Sequence, residues 1–393
     1  MGLTSIGNQL TPGTPEEITF AAAQGLPSAN QALIILGHVG VPSASGTVPA
    51  LVPQVISNVA DPVAASGEAS GYFGAASEIV KMVVAAVRAN AEGGTFPAIK
   101  CVGLPNAATD WSTALDVIDR LPGEYVVSPY QANDQTLMGL LLNECAAMSS
   151  PQRVDNGQYG TLAVAVNQSV ATPSGLFKYD KTYGSFHWLR DSAPVLSVGE
   201  IAASVAAQLA ANAIPFKPLR NQVLPNVPAP ASQLDWISVG AGMESEVALQ
   251  QGWSPLRVLP NGDVAHVRTR LLRVTTGDGV TALTAYFDVQ DFNVLFFWRK
   301  TLATRYAQPD IAQAKASGAE ATLILGELIR LGNLFEEQGM FQAMALLAKQ
   351  FVVQRNISDR SRFDVFTPVN VIPILAVVAT NIQATTVGDT LTV

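Results

Sequence analysis

Ala32-Leu33-Ile34-Ile35-Leu36-Gly37 is a six-residue apolar run that stops at a glycine. No polar residue interrupts it, so the segment must be covered on both faces, which is the mark of a buried strand. Downstream, Ser77 opens a helical window with Ile79, Val80, Val83, Val84 and Val87 on one stripe, and Gly93-Gly94 closes it. Residues 99–103 read as strand, and 110–121 as helix closed by Pro122-Gly123. Then come strand at 125–127, helix at 134–148, strands at 160–166 and 186–189, and an Ala-rich helix at 198–213. This alternation predicts a doubly wound α/β domain from residue 23 to about 215.

Beyond it the pattern changes. Residues 215–232 carry Pro215, Pro218, Pro225, Pro228 and Pro230, an extended connection that no helix can accommodate. A turn at Pro260-Asn261-Gly262-Asp263 leads into an alternating stretch, 264–270, read as a strand. A second strand is expected at 283–287, after the turn Gly277-Asp278-Gly279, and Asp288 caps a helix reaching Tyr306. The last long helix, 319–338, ends at Gly339. It is expected to bury Ile324, Leu328, Leu331 and Phe335, and to show Glu320, Glu327, Arg330, Asn333 and Glu337 on another face, a candidate docking surface.

Both ends of the chain are β-rich without enough large side chains to build a core. Val369-Asn370-Val371-Ile372-Pro373-Ile374-Leu375-Ala376-Val377-Val378 is β-branched and aliphatic, and the residues after it, 380–393, thin out. Backbone groups of such a strand must find partners, and Pro373 marks a strand start, a bulge or an edge. Near the start, Glu17-Ile18-Thr19-Phe20 is a short alternating piece. The C-terminal segment reads as an arm that adds to a sheet of a neighbouring subunit, and the N-terminal one as a second arm or a frayed terminus. The candidate contact residues are Ile18, Phe20, Ile374, Ala376, Val378 and Ile382.

Hydrophobic residues make up 48% of the 393 and charged residues only 14%, with a mean hydropathy of +0.26. That excludes a disordered chain and calls for extensive burial. No eighteen-residue apolar window is free of polar interruption; the nearest, 195–216, holds Glu200, Gln208 and Asn212. No Lys or Arg precedes Lys81, so no basic leader is expected. Burial between subunits is the expected explanation, and no direct membrane contact. Net charge is −8, which speaks against direct nucleic-acid binding. Residues 1–250 hold 10 Lys/Arg and 19 Asp/Glu, a net −9, whereas 251–393 hold 13 and 12, a net +1.

Chemistry is sparse. A Ser/His/Asp set could be drawn from His38 with Asp61 or Asp110, making an α/β hydrolase the enzymatic alternative, but no Gly-x-Ser-x-Gly elbow singles out a serine. His187 reads as a packed or interface residue, and His266, beside Arg268 and Arg270, as part of a solvated or inter-subunit face. Cys101 and Cys145 are 44 residues apart in apolar surroundings and read as buried thiols, not as a disulfide or metal pair. Gly67-Glu68-Ala69-Ser70-Gly71-Tyr72-Phe73-Gly74 lacks the spacing of a phosphate loop and reads as a tight turn before the Ser77 helix. No cofactor, no metal and no catalytic residue is expected.

A set of landmarks in the C-terminal half gives a more specific reading. They are Leu224-Pro225-Asn226-Val227-Pro228-Ala229-Pro230, Leu249-Gln250-Gln251-Gly252-Trp253-Ser254-Pro255-Leu256, and Asn261-Gly262-Asp263-Val264. Arg273-Val274-Thr275-Thr276, Ala285-Tyr286-Phe287-Asp288, and a closing block of Val352-Val353-Gln354-Arg355, Asp359, Arg362-Phe363-Asp364 and Pro368 follow. In this order the chain resembles the contractile tail sheath proteins of Mu-like phages, a subtilisin-like-fold family; Gln354 departs from the acidic residue the family pattern leads one to expect. The resemblance implies a structural subunit and no enzyme. Its expected form is an outer α/β domain at 23–258, a smaller inner α+β domain facing the tube at 259–370, an N-terminal arm at 1–22, and a C-terminal strand and arm at 371–393. Subunits would form six-membered rings stacked helically around a tail tube and interlinked by arm strands. Contraction would drive the tube through a host envelope. The implied partners are further copies of the chain, the tube protein, and baseplate and tail terminator proteins, in a virion assembled in the host cytoplasm. Another shell- or capsid-type assembly protein is the structural alternative.

Overall fold

A computed structural model describes residues 32–39, 46, 48–90, 98–105, 111–150, 159–211, 217–234, 243–276, 280–281, 287–312, 317–359 and 361–373. The arm residues Ile18, Phe20, Ile374, Ala376, Val378 and Ile382 and the expected strand at 283–287, apart from Phe287, lie outside them.

The opening run forms β1 (Leu33–His38), followed by β2 (Gln54–Ile56), α1 (Pro62–Phe73), α2 (Glu78–Ala89), β3 (Ile99–Leu104) and α3 (Ser112–Ile118). The chain continues through β4 (Tyr125–Gln131), α4 (Gln135–Met148), β5 (Leu162–Asn167), β6 (Gly184–Trp188) and α5 (Val198–Ala211). Next come α6 (Glu244–Gln250), β7 (Ser254–Val258) and β8 (Val264–His266). The eight strands make one sheet in the order β2-β3-β1-β4-β5-β6-β7-β8. The six inner strands are parallel, and the edge strands β2 and β8 run antiparallel to them.

Side chains alternate across β1 as its apolar run requires. Leu33 and Ile35 enter a core built with α1, α2 and α5; Ile34 and Leu36 enter a second core built with α3 and α4. Helices therefore cover both faces of the sheet, the doubly wound arrangement expected for a parallel sheet. The α2 start is fixed as predicted: Ser77 Oγ accepts the Ile79 N–H at 3.2 Å and donates to His38 O at 2.6 Å, tying the helix to the end of β1. Helix α5 is buried almost all round, and its run of alanines lets it lie tightly between the sheet and α2.

The remaining elements are α7 (Val289–Tyr306), α8 (Pro309–Ala312), α9 (Gly318–Glu337), α10 (Met344–Leu347), β9 (Val352–Arg355) and β10 (Phe363–Phe366). They surround a third core of Phe297, Trp298, Leu328, Phe335, Phe341 and Met344, among others. Helix α7 belongs to two cores at once. Val289, Phe292 and Phe296 enter the sheet's core, and Val294, Phe297 and Trp298 enter the third. Gly160 makes room for this: a Cβ there would lie 1.8 Å from the Phe296 ring.

Several sequence expectations need correction. The 67–74 stretch is not a turn; most of it is the second half of α1, whose Asp61 cap and Pro62 at N1 were not recognised as a helix start. Strand β2 was not anticipated; Pro53 and its short length hid it, and both suit an edge. The strand expected over 264–270 ends at His266, after which the chain leaves the sheet and Arg270 forms an isolated bridge with Asp288. His266 and Arg270 are 0% exposed, so this is no solvated face; the segment carrying Val223 covers the β8 edge. The β7–β8 hairpin belongs to the large sheet. The change from one core to the next comes within α7.

Candidate assembly interface

The last long helix forms as its periodicity predicts. In α9, Ile324, Leu328, Leu331 and Phe335 are buried, Ser317 caps the start, and Gly339 ends it at φ 75°. Arg330, Asn333 and Glu337 are exposed, and Glu320 is half-buried, accepting from Ser317 Oγ. Glu327, expected on the same open face, is only 7% exposed. It is clamped between two arginines. Arg305 on α7 donates from Nε to Oε1 at 2.9 Å, and Arg330 donates to Oε1 at 2.7 Å and to Oε2 at 3.0 Å. Arg305 also forks onto Asp310 at 2.7 and 2.9 Å. Burial raises the Glu327 carboxyl, and hydrogen bonds from Arg330 and Arg305 outweigh it, leaving the group below its usual range. The helix thus carries two polar layers: a fixed ion network below, and the exposed Arg330, Asn333 and Glu337 above it.

A second surface is the two-stranded antiparallel ribbon β9–β10, paired Val352↔Phe366, Val353↔Val365, Gln354↔Asp364 and Arg355↔Phe363. Val353 and Phe363 pack on the third core. Across the other face, Val352 and Phe366 stand 44% and 62% exposed. The two strands pair only with each other among the described residues. A two-stranded ribbon is marginal alone, and an outer edge is where a further strand can add. After β10 the chain returns beside residues 340–342: Gln342 N–H bonds Asn370 O at 2.9 Å and Ile372 N–H bonds Met340 O at 3.0 Å. Of the strand expected over 369–378, the described part contributes only a bridge between Val371 and Phe341.

The enzymatic alternative centred on His38 finds other uses for its residues. His38 Nδ1 lies 3.2 Å from Pro105 O, and its Nε2 pairs with the Tyr130 hydroxyl. Asp61 caps α1 through the Val63 N–H at 2.9 Å, and Asp110 is outside the described residues. A cleft of about 490 Å³ lies elsewhere, between Leu271, Phe292, Leu295 and Val371. Cys101 and Cys145 are fully buried free thiols whose pKa burial pushes up. No group of three or more metal-ligating side chains occurs among the described residues. No described helix is long and apolar enough to cross a membrane.

No protein-family model matches the chain, and no curated protein matches it in sequence. Solved structures do. The sheath tail protein of Listeria innocua aligns at TM-score 0.58 and 11% identity, over 88% of this chain and 93% of that one. The sheath tail protein of Desulfitobacterium hafniense aligns at 0.54 and 10%, over 91% and 100%. A chain of the anti-feeding prophage baseplate aligns at 0.57 and 14%, over 96% and 100%. At these identities the likeness is one of fold, and it runs nearly end to end: the chain is built on the fold of the tail sheath proteins.

Proposed function

We propose that the chain is a structural subunit of a contractile phage tail sheath of the Mu-like kind, without an active site of its own. The observation that carries this reading is the fold match, which spans nine-tenths or more of most aligned chains, including those named as sheath tail proteins. Copies form six-membered rings stacked helically around a tail tube. The sheet-bearing unit lies outward, and the unit around the third core faces the tube. The β9–β10 ribbon is the acceptor for arms: an added strand satisfies an open edge, and the exposed Val352–Phe366 face supplies apolar area. The donors are the segments holding Ile18 and Phe20 and those holding Ile374, Ala376, Val378 and Ile382. The α9 face of Glu320, Arg330, Asn333 and Glu337 meets the tube, with Glu327 acting beneath it as a brace for Arg330. Baseplate and terminator proteins close the two ends of the stack, in a virion put together in the host cytoplasm. Contraction draws on energy stored at assembly, and the arms keep neighbours tethered while the outer units swing.

Electron microscopy of the purified full chain with its tube protein tests this. Tubes in two states, long and narrow or short and wide, are expected. A shortened chain lacking residues 380–393 is expected to stay folded and form none. A full chain that remains monomeric beside its tube protein overturns the sheath reading, and normal tubes from the shortened chain overturn the role of the arm.

A further inference from the structure

His187 on β6 and His266 on β8 stand on either side of β7, two strands apart in the sheet. Their rings meet edge to face, with centroids 5.6 Å apart and planes at 74°, and both residues are 0% exposed. His266 Nε2 lies 3.0 Å from Gln208 Oε1 on α5, and the Gln208 amide nitrogen donates to Val223 O at 2.6 Å. That amide nitrogen is spent on a carbonyl, so Oε1 faces the ring and His266 carries its proton on Nε2. Its Nδ1 is then a bare acceptor. His187 Nε2 lies 3.2 Å from Ser185 Oγ, and neither Nδ1 has a hydrogen-bond partner.

The pair anchors more than itself. His266 O accepts the Asn221 N–H at 2.8 Å, its N–H bonds Gln222 O at 3.1 Å, and the Leu224 N–H bonds Val264 O at 2.7 Å. One short stretch of chain, 221–224, is thereby laid along β8 and stitched to α5 through Gln208.

Charges on the surrounding elements offer no counter-ion. Strands β5 and β6 carry none. On β7, Arg257 is bonded to Asn221 Oδ1; Arg220 precedes the covering stretch; Arg268 and Arg270 follow β8. Nearby carboxylates are engaged elsewhere: Asp288 with Arg268 at 2.7 and 2.8 Å, Asp291 with the Asp288 N–H, and Glu200 on α5 with Ser197. A proton added to His266 Nδ1 would bring a donor without an acceptor into a dry core, and a proton on either ring would bring a charge without a partner. A second proton would face the first.

We propose that this edge-to-face imidazole pair is an acid-sensitive joint: neutral, it pins β8 and residues 221–224 to α5, and on proton uptake the β6–β8 edge loosens before the rest of the sheet.

Burial pushes the His266 pKa down to about 4, and burial, then the neighbouring His266, holds His187 well below 6.5. The unfolded chain takes up protons first, so this stability is full above about pH 6.5 and drains away as pH falls toward 4. Asp291, raised to about 6, and Glu78 and Glu124, raised by burial, have the opposite sign and support the folded chain over that range.

Denaturant unfolding of the full chain at about pH 7.5 and about pH 5 tests the joint. His266 alone is expected to lower the folding constant ~30-fold between the two, from a shift of 6.5 to about 4. His266→Gln keeps a donor for Gln208, and His187→Gln keeps a partner for Ser185; each is expected to fold at pH 7.5 and to lose less at pH 5. An acid loss in both variants as large as in the parent overturns the proposal. Hydrogen-exchange protection of the parent chain gives an answer that needs no variant. Amides of β8 and 221–224 are expected to lose protection at pH 5 more than those of β1 and β3, and a uniform loss overturns it as well.

Discussion

Tyr125 on β4 donates its hydroxyl to Asn293 Oδ1 on α7 at 2.7 Å, and both side chains are buried. The bond joins the large sheet to the helix that also serves the third core. One turn and a half further along α7, Arg299 donates to Ser149 O and Ser150 O at 2.6 Å each and to Tyr159 O at 3.2 Å. These include the free carbonyls at the C-terminal end of α4, where a cation is favoured. Two independent polar fastenings and a shared apolar helix join the sheet unit to the third-core unit, and a single cooperative unfolding transition is expected.

Tyr125→Phe removes one fastening and leaves the buried Asn293 carbonyl without its donor. The expected cost is about 1–3 kcal/mol, read from urea unfolding, with a single transition retained. Two separated transitions in the parent chain would show that the units fold independently.

Glu327→Gln takes the charge out of the clamp between Arg305 and Arg330. Arg305 keeps Asp310, so the expected loss is moderate, about 1–3 kcal/mol at neutral pH. The Glu327 carboxyl is held below its ordinary 4.5, so its stabilisation is present above that pH and disappears as pH falls further. Melting temperatures of parent and variant should converge in acid below 4.5, and a gap that stays constant would show that the charge is not what matters.

Phe366→Asp tests the ribbon as an acceptor. The side chain is 62% exposed on the face away from the third core, so thermal stability should change by no more than about 0.5 kcal/mol. Tube formation should fall sharply, because the charge sits on the apolar face opposite Val352. Equal tube yield from parent and variant, counted by electron microscopy, would remove this face from the interface.

The sheet was legible because its inner strands are buried on both faces and must be spelled in unbroken apolar runs, as at Leu33–His38 and Leu162–Asn167. The cap at Ser77 announced its helix by a side chain that accepts a backbone N–H group; Asp134 and Ser317 do the same for α4 and α9, but the structure is what identifies them as caps. The unread elements lack such signals. Helix α1 has small residues on its buried side, Ala65 and Ala69, and glycines at 67 and 71, so its period is faint. Glu327 was misplaced for a different reason. At about 100° per residue it lies only ~40° from Leu331, inside the margin of the buried stripe, and one of its two arginine partners, Arg305, comes from α7, 22 residues away in sequence. The histidine pair was invisible likewise: 79 residues separate two rings that the strand order brings together. Both ribbon segments, 352–355 and 363–366, stand among the landmarks of the resemblance, but their pairing and the exposed face they form are properties of their surroundings, and the residues alone do not report them.

The position of β1 has a consequence for the making of the protein. Although it is the first described strand, it lies between β3 and β4, so it gains its second hydrogen-bonded neighbour only when residues 125–127 are available. About ninety residues must be synthesised after Leu33 before that happens. Throughout that interval at least one edge of this apolar strand lacks the partner it has in the fold, in a topology whose parallel, long-range pairings form slowly. The nascent chain therefore exposes an apolar segment early and encloses it late, so shielding of residues 33–37 until β4 arrives is expected to favour folding over aggregation.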